Sequence, residues 1–188
     1  MRPTDIDQIL GQDHLVGPDK IIRRMVTAKR LRSMILYGPP GTGKTSIASA
    51  IAGSTHYAFR QLNAATDAKK DLEVVVEEAK MSGSVILLLD EIHRLNKVKQ
   101  DYLLPHLENG RIILIGATTE NPYIAINPAI RSRAQIFQVY PLDPDQIKIG
   151  LKRALEDRSQ GLGEYQVKID EETLNHFAHT TNGDIRSA

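Results

Sequence analysis

Eight consecutive residues, Gly38-Pro-Pro-Gly-Thr-Gly-Lys-Thr45, carry the spacing G-x-x-x-x-G-K-[ST]. Glycines at this spacing let successive backbone N–H groups converge on an anion without Cβ clashes, and a helix starting after Gly43 adds the positive end of its dipole. Lys44 is then placed to reach the outer phosphates of a nucleoside triphosphate, and the Thr45 hydroxyl to reach a magnesium ion. A second reactive pair, Asp90-Glu91, closes the apolar run Val85-Ile-Leu-Leu-Leu89. Asp90 suits magnesium held through its water shell. Glu91, one residue on, suits taking a proton from a water that attacks the terminal phosphate. The expected ATP-binding residues are therefore Gly38, Pro39, Pro40, Gly41, Thr42, Gly43, Lys44, Thr45 and Ser46, with Thr45 and Asp90 for Mg2+.

Such residues need strands that end at one place. Five short runs rich in Ile, Val, Leu and aromatics read as strands: Ser33–Tyr37, Tyr57–Leu62, Val85–Leu89, Ile112–Gly116 and Gln135–Tyr140. Helical stretches separate them, at Lys44–Ala52, at Asp67–Met81 with Leu72, Val75, Val76 and Ala79 on one face, and at Lys97–Leu107. Strands alternating with helices predict a five-stranded parallel α/β sheet covered on both faces, with ligands beyond the carboxyl ends of the strands. Both motifs fall at those ends.

The pattern changes at Pro141-Leu-Asp-Pro144, which reads as a linker. A helical tail follows, with helices expected over Asp145–Asp157 and near Glu171–His179, and a third started by Asn182-Gly-Asp184 that stops at Ala188 after one turn. We therefore expect a nucleotide-binding core over 1–141 and a helical lid over 142–188, the latter reading as truncated and the whole as a fragment.

The 188 residues suffice for one domain and the start of a second, and 41% apolar content suffices for a core. With 24 basic against 23 acidic residues, the net charge of +1 gives no global field for DNA or an anionic membrane. The absence of cysteine excludes disulfides, thiolate zinc sites and a cysteine nucleophile, and is compatible with a reducing, cytoplasmic setting. The amino terminus is too polar for a signal peptide, and no apolar run approaches the ~18 residues of a spanning helix.

The loop Gly38–Thr45 together with Asp90-Glu-Ile-His-Arg94 resembles the P-loop NTPases of the AAA+ type. The longer stretch His93-Arg-Leu-Asn-Lys97, Gln100-Asp, Leu104-Pro-His-Leu-Glu108, Gly110 and Ile115-Gly-Ala-Thr-Thr-Glu-Asn-Pro122 resembles the replication-associated recombination protein A family, bacterial relatives of the Werner-helicase-interacting protein. That likeness runs from Arg2-Pro3 and Gly11-Gln-Asp-His-Leu15 to Gly183-Asp-Ile-Arg186.

The resemblance implies further roles. Thr119 matches the sensor 1 position, where a hydroxyl orients the attacking water, with Thr118 as the alternative. Asn63 would hydrogen-bond Glu91 and hold it from the water until a ligand arrives. Ile130-Arg-Ser-Arg-Ala134 resembles the Ser-Arg-Cys box of clamp loaders with Ala134 replacing cysteine, which makes Arg133, or alternatively Arg131, an arginine finger given to a neighbouring subunit. Arg186 matches sensor 2 in the lid. Ile9 and His14 match the segment that wraps adenine.

His176 and His179 sit three apart on a helix but lack a third ligand at a supporting spacing, so a structural role is expected. Basic residues cluster over Lys20–Arg32, with a smaller pair at Lys97 and Lys99. Neither cluster has interleaved aromatics, so a solvated face or a subunit contact weighs as much as phosphate binding for the first. It is the resemblance that implies DNA, forked or single-stranded, together with homo-oligomers, a single-stranded-DNA-binding protein as partner, and a nucleoid-associated, non-membrane setting. The reading that follows is an ATP-hydrolysing factor acting at stalled forks, DNA-stimulated. The alternatives are a clamp-loader-like scaffold gated by nucleotide and a Holliday-junction branch-migration motor.

Overall fold

The structure is a computed structural model that describes residues 2–188. Its strands are β1 (Met34–Tyr37), β2 (Ala58–Asn63), β3 (Val85–Asp90), β4 (Ile112–Thr118) and β5 (Gln135–Gln138). Its helices are α1 (Asp13–Val16), α2 (Ile21–Thr27), α3 (Lys44–Gly53), α4 (Lys69–Ser82), α5 (Lys97–Glu108), α6 (Pro122–Ala125), α7 (Pro128–Arg131), α8 (Pro144–Glu156) and α9 (Glu171–Thr180), with short 3-10 turns at Ile6–Gln8, Ile92–Arg94 and Gly163–Tyr165.

The five strands form one sheet in the order β2-β3-β4-β1-β5, every pair parallel. Parallel strands need crossovers, and the helices that supply them bury both sheet faces, which is why β3 reads as an unbroken apolar run. Successive side chains go to opposite faces. Met34, Leu36, Ile86, Leu88, Ile113 and Ile115 pack with Ile47 and Ile51 of α3 and Ile22 of α2. Ile35, Leu87, Leu89, Ile112 and Leu114 pack on the other face with Leu72, Val75 and Val76 of α4 and Leu103 of α5. A smaller cluster of Leu142, Ile147 and Ala178, joined by Leu10, Leu151 and Ile185, belongs to α8, α9 and their flanks.

The chain order matters for function. Because β1 lies between β4 and β5, the loop leaving β1 stands beside the end of β4, with Tyr37 in register with Thr118 and the Gly38 N–H donating to the Thr118 carbonyl at 3.2 Å. On the far side, Asn63 of β2 is in register with Asp90 of β3. The amino-terminal ends of all five strands gather at the opposite edge, where the Ser84 hydroxyl donates to the Gly110 carbonyl at 2.7 Å.

Two of the differences from the expected elements have a visible cause. β5 ends at Gln138, short of Tyr140, because the Tyr140 N–H and carbonyl are bonded to the Gln12 side chain in place of a strand neighbour. The third helix at the carboxyl end does not form. Residues 182–188 run in turns with Asp184 N–H to Thr181 O and Ser187 N–H to Asp184 O, and the Ile185 N–H donates across to Gly41 O at 3.3 Å. That bond directs the amide to another segment, away from the i to i−4 bond of a helix.

Candidate nucleotide site

The phosphate loop is built as its sequence demands. Gly43 takes a left-handed conformation (φ 94°) and stands at the N-cap of α3 with no side chain satisfying the helix's first N–H groups. A helix start left open in this way binds anions. Gly41 (φ 71°) is required on a second count, since a Cβ there would lie 1.7 Å from Asp184 Oδ1. The Thr42 hydroxyl donates to Pro39 O at 2.8 Å and tightens the turn.

Lys44 folds back over this loop, its Nζ 2.8 Å from Gly38 O and 2.7 Å from Pro39 O. Partial burial, aided by the Arg186 charge, lowers its pKa from 10.5 to about 8, while Asp90 and Asp184 oppose the shift. The ammonium is thus held at a cost set by burial and the Arg186 charge, with two carboxylates nearby offsetting part of it.

A cleft of ≈ 340 Å³ opens over the loop, lined by Pro40, Gly41, Gly43, Lys44, Thr45, Ser46, Asn63, Asp90, Glu91, His93, Thr118, Thr119, Ile185 and Arg186. It gathers the phosphate loop, the ends of β2, β3 and β4, and the turn after α9. Thr45 and Asp90 meet there as a hydroxyl and a carboxylate, a hard-oxygen pair that fits Mg2+ when water and phosphate complete its shell. Among the described residues no cluster of three or more His, Asp or Glu side chains forms an all-protein metal cage.

Glu91 lies in the left-handed region (φ 48°) at the start of the 3-10 turn Ile92–Arg94, with its N–H 3.0 Å from Asp90 Oδ1. A non-glycine residue there costs about 1–2 kcal/mol and persists only where neighbours hold it. Here the Arg94 N–H donates to Glu91 O at 2.8 Å, and Ile92 is buried in the sheet core.

The two threonines divide. Thr118 is 2% exposed, and its hydroxyl oxygen lies 2.8 Å from His93 Nδ1 while accepting the Glu120 N–H at 3.0 Å. Thr119 is exposed and lines the cleft. Asn63 lines it as well, but its Oδ1 accepts the Ala65 N–H at 2.8 Å, and no hydrogen bond joins it to Glu91 among the described residues.

Several expected residues lie outside this cleft. Ile9 is half-buried against the core, and His14 sits by β5 with Nε2 2.7 Å from Gln138 O and its ring 4.8 Å from that of Tyr140. Arg133 does not line the cleft. Its Nε donates to Glu108 Oε1 at 2.9 Å, NH2 pairs with the same carboxylate, and NH1 donates to Ala129 O at 2.7 Å and Ser132 Oγ at 3.1 Å. Arg131 lies against the Tyr123 ring at 5.9 Å, its Nε buried without a partner. Lys99 is no surface cation but a brace, with Nζ donating to Ala64 O at 3.0 Å and Asp67 O at 2.6 Å. His179 turns Nδ1 back to Asn175 O, 2.7 Å away on its own helix.

Sequence reasoning missed two residues. Gln12 is 6% exposed and joins three segments, donating to Thr42 O at 3.0 Å and Tyr140 O at 2.7 Å and accepting the Tyr140 N–H at 3.0 Å. His93 faces the cleft beside Glu91. Neither has a periodicity to betray it. The available signal was proximity, His93 two residues after Glu91 and Gln12 two before His14.

The model of the ATPase family associated with various cellular activities (AAA) matches residues 34–142, from the start of β1 to just past β5. The chain belongs to this AAA family. With the family goes the binding and hydrolysis of ATP. Among curated AAA relatives, the chain is 68% identical over 188 residues to the replication-associated recombination protein A of Bacillus subtilis, covering all of this chain and 45% of that protein. It is 41% identical over 192 residues to the protein of that name from Haemophilus influenzae, covering 43% of it. The chain therefore spans less than half of the relatives it matches. Among solved structures, the Thermotoga maritima RuvB Holliday junction branch migration motor superposes with a TM-score of 0.75 at 24% identity, over 99% of this chain and 62% of that one, a likeness of fold.

Proposed function

We propose that this chain is the ATP- and Mg2+-dependent motor module of a replication, recombination and repair factor that acts on forked or single-stranded DNA. The observation that carries the reading is the convergence of the open start of α3, Lys44, Asp90 and Glu91 in one cleft. Thr45 and Asp90 would hold Mg2+, which when bound neutralises charge on the phosphates. Lys44 leaves its carbonyl contacts for the outer phosphates, Glu91 orients and deprotonates the attacking water, and Thr119 fixes that water from just past β4. Arg186 reaches the phosphates from the turn after α9. The adenine lies toward Ile9 and His14. The division into a core over 1–141 and a lid over 142–188 belongs to the same reading.

Arg133 cannot serve the cleft of its own chain from its place beside Glu108. In the proposed mechanism it enters the cleft of a neighbouring copy, which makes the active form a homo-oligomer. The similarity to replication-associated recombination proteins supports DNA as the effector and a single-stranded-DNA-binding protein as a partner, in the cytoplasm at the nucleoid. No described helix is long and apolar enough to cross a membrane.

The test is ATP hydrolysis by the full-length protein with no DNA and with single-stranded, duplex and forked DNA, with Lys44→Ala as the control. Stimulation by forked or single-stranded DNA that Lys44→Ala abolishes is the expected result. Equal hydrolysis in all four conditions refutes the DNA role, and unchanged turnover in Lys44→Ala refutes the site. Mixing Arg133→Ala with Glu91→Gln protein should restore part of the activity that each lacks, and no restoration refutes the finger in trans.

A further inference from the structure

Three strands of the site come from distant parts of the sequence, and one side chain ties two of them. His93 lies in the middle of the turn Ile92–Arg94 that holds Glu91, with its side chain 12% exposed and facing the cleft. Its Nδ1 lies 2.8 Å from Thr118 Oγ1 at the end of β4, and its Nε2 lies 3.5 Å from Glu120 Oε1. The direction of the bonds follows from the neighbours. With the Glu120 carboxylate 3.5 Å from Nε2, a neutral ring that carries its hydrogen on Nε2 accepts the Thr118 hydroxyl proton at Nδ1, while Thr118 Oγ1 also accepts the Glu120 N–H.

We propose that His93 is a positioning residue for hydrolysis, one that sets the distance between Glu91 and Thr119 by pinning the turn after β3 to the end of β4. This rests on the reading of Glu91 and Thr119 given above. Glu91 adopts a left-handed backbone that only its surroundings maintain, and the His93–Thr118 bond is a side-chain hydrogen bond from that turn to β4, beside the packing of Ile92 on Gly116. Thr118 carries the link further, because its carbonyl accepts the Gly38 N–H at the start of the phosphate loop. His93 thus joins the water-activating carboxylate, the water-orienting hydroxyl and the phosphate cradle into one rigid frame. Catalysis depends on such frames to the extent that a misplacement of about 1 Å can cost about 10²-fold in rate.

The two arms of the ring can be separated by substitution. His93→Asn keeps a polar atom near Nδ1 and loses the reach to Glu120, whereas His93→Gln keeps the reach to Glu120 and loses the Thr118 bond. Single-turnover hydrolysis at saturating ATP and the affinity for a fluorescent ATP analogue are measured in the full chain, with thermal unfolding as a check on the fold. The expected result is a rate loss of about tenfold or more for His93→Ala and His93→Gln, substantial recovery in His93→Asn, and analogue affinity within about twofold throughout, the pattern of an interaction needed only in the transition state. Thr118→Val removes the same bond from the other side. It should slow hydrolysis similarly, and the double variant His93→Ala with Thr118→Val should be no slower than either single one.

Wild-type rates in His93→Ala overturn the proposal. So does equal damage in His93→Asn and His93→Ala, or additive losses in the double variant. Should His93→Ala fail to fold, the Thr118→Val and His93→Asn rates decide the matter alone. Glu91→Gln is measured alongside; normal hydrolysis in that variant would remove the underlying assignment of the site and leave the hydrogen-bond geometry of His93 as it stands.

Discussion

Asp184 sits directly on Gly41. The carboxylate of the turn after α9 lies where a side chain on the phosphate loop would begin, 1.7 Å from an added Cβ, and the next amide, Ile185 N–H, donates to Gly41 O. The helical tail and the phosphate loop are therefore in register through one glycine. Gly41→Ala should push the 182–186 turn from the cleft while the sheet stays folded. Overpacking of this kind costs about 1–3 kcal/mol, which corresponds to about a 5- to 150-fold loss of nucleotide affinity if the tail contributes to binding. Hydrogen exchange of the Ile185 amide should quicken in the variant, and unchanged protection would show that the contact does not hold the turn.

Lys44 gives a pH signature. Its pKa near 8 in the folded chain lies below the ordinary 10.5, so the unfolded chain binds more protons between those values. By linkage this group's contribution to stability rises as pH goes from about 8 to 10.5, and below 8 its charged form is held at a penalty. A bound triphosphate favours the ammonium and reverses the shift. ATP binding at pH 8.5 should take up protons, detected as a dependence of the calorimetric enthalpy on buffer ionisation. At pH 7 the lysine's share of that dependence should vanish, and Lys44→Met should abolish it at both.

Gln12 should matter more to stability than any exposed residue near it. Gln12→Leu leaves Thr42 O and both polar groups of the Tyr140 backbone without their partner. The expected loss is about 1–3 kcal/mol, seen as a lower urea midpoint at unchanged slope. A midpoint equal to that of the parent would mean that water replaces the amide at no cost.

Lys99 and the basic run before β1 should part company in DNA binding. Lys99→Met should lower stability, because two carbonyls lose their donor, and leave DNA affinity and its salt dependence alone. If the exposed Arg24 or Arg30 touches phosphate, its replacement by alanine should reduce the slope of log affinity against log salt by about one. A change of slope with Lys99→Met would contradict the brace described above.

What the sequence disclosed follows from how local each signal is. The phosphate loop and Asp90-Glu91 are contiguous, and the parallel sheet could be inferred from apolar runs such as Val85–Leu89, since burial on both faces erases alternation. The strand order also suits the motifs, because it brings Gly38 beside Thr118. Tertiary pairings were not legible. Nothing near Arg133 in the chain announces Glu108, nothing near Tyr140 announces Gln12, and the amide of Ile185 chose Gly41 over the helix that local capping signals suggested. Thr118 and Thr119 are identical as letters, and burial alone separates the one bonded to His93 from the one open to the cleft.

Since every strand points the same way, chemistry is confined to one rim and the other is left idle. The turns around Gly83 and Gly110 belong to that far rim, and a Cβ added at either glycine would meet no atom within 4 Å. A fluorophore or purification handle inserted in either turn would stand at the far end of the sheet from the cleft. Lengthening of the chain at that end is the kind of change this architecture can absorb.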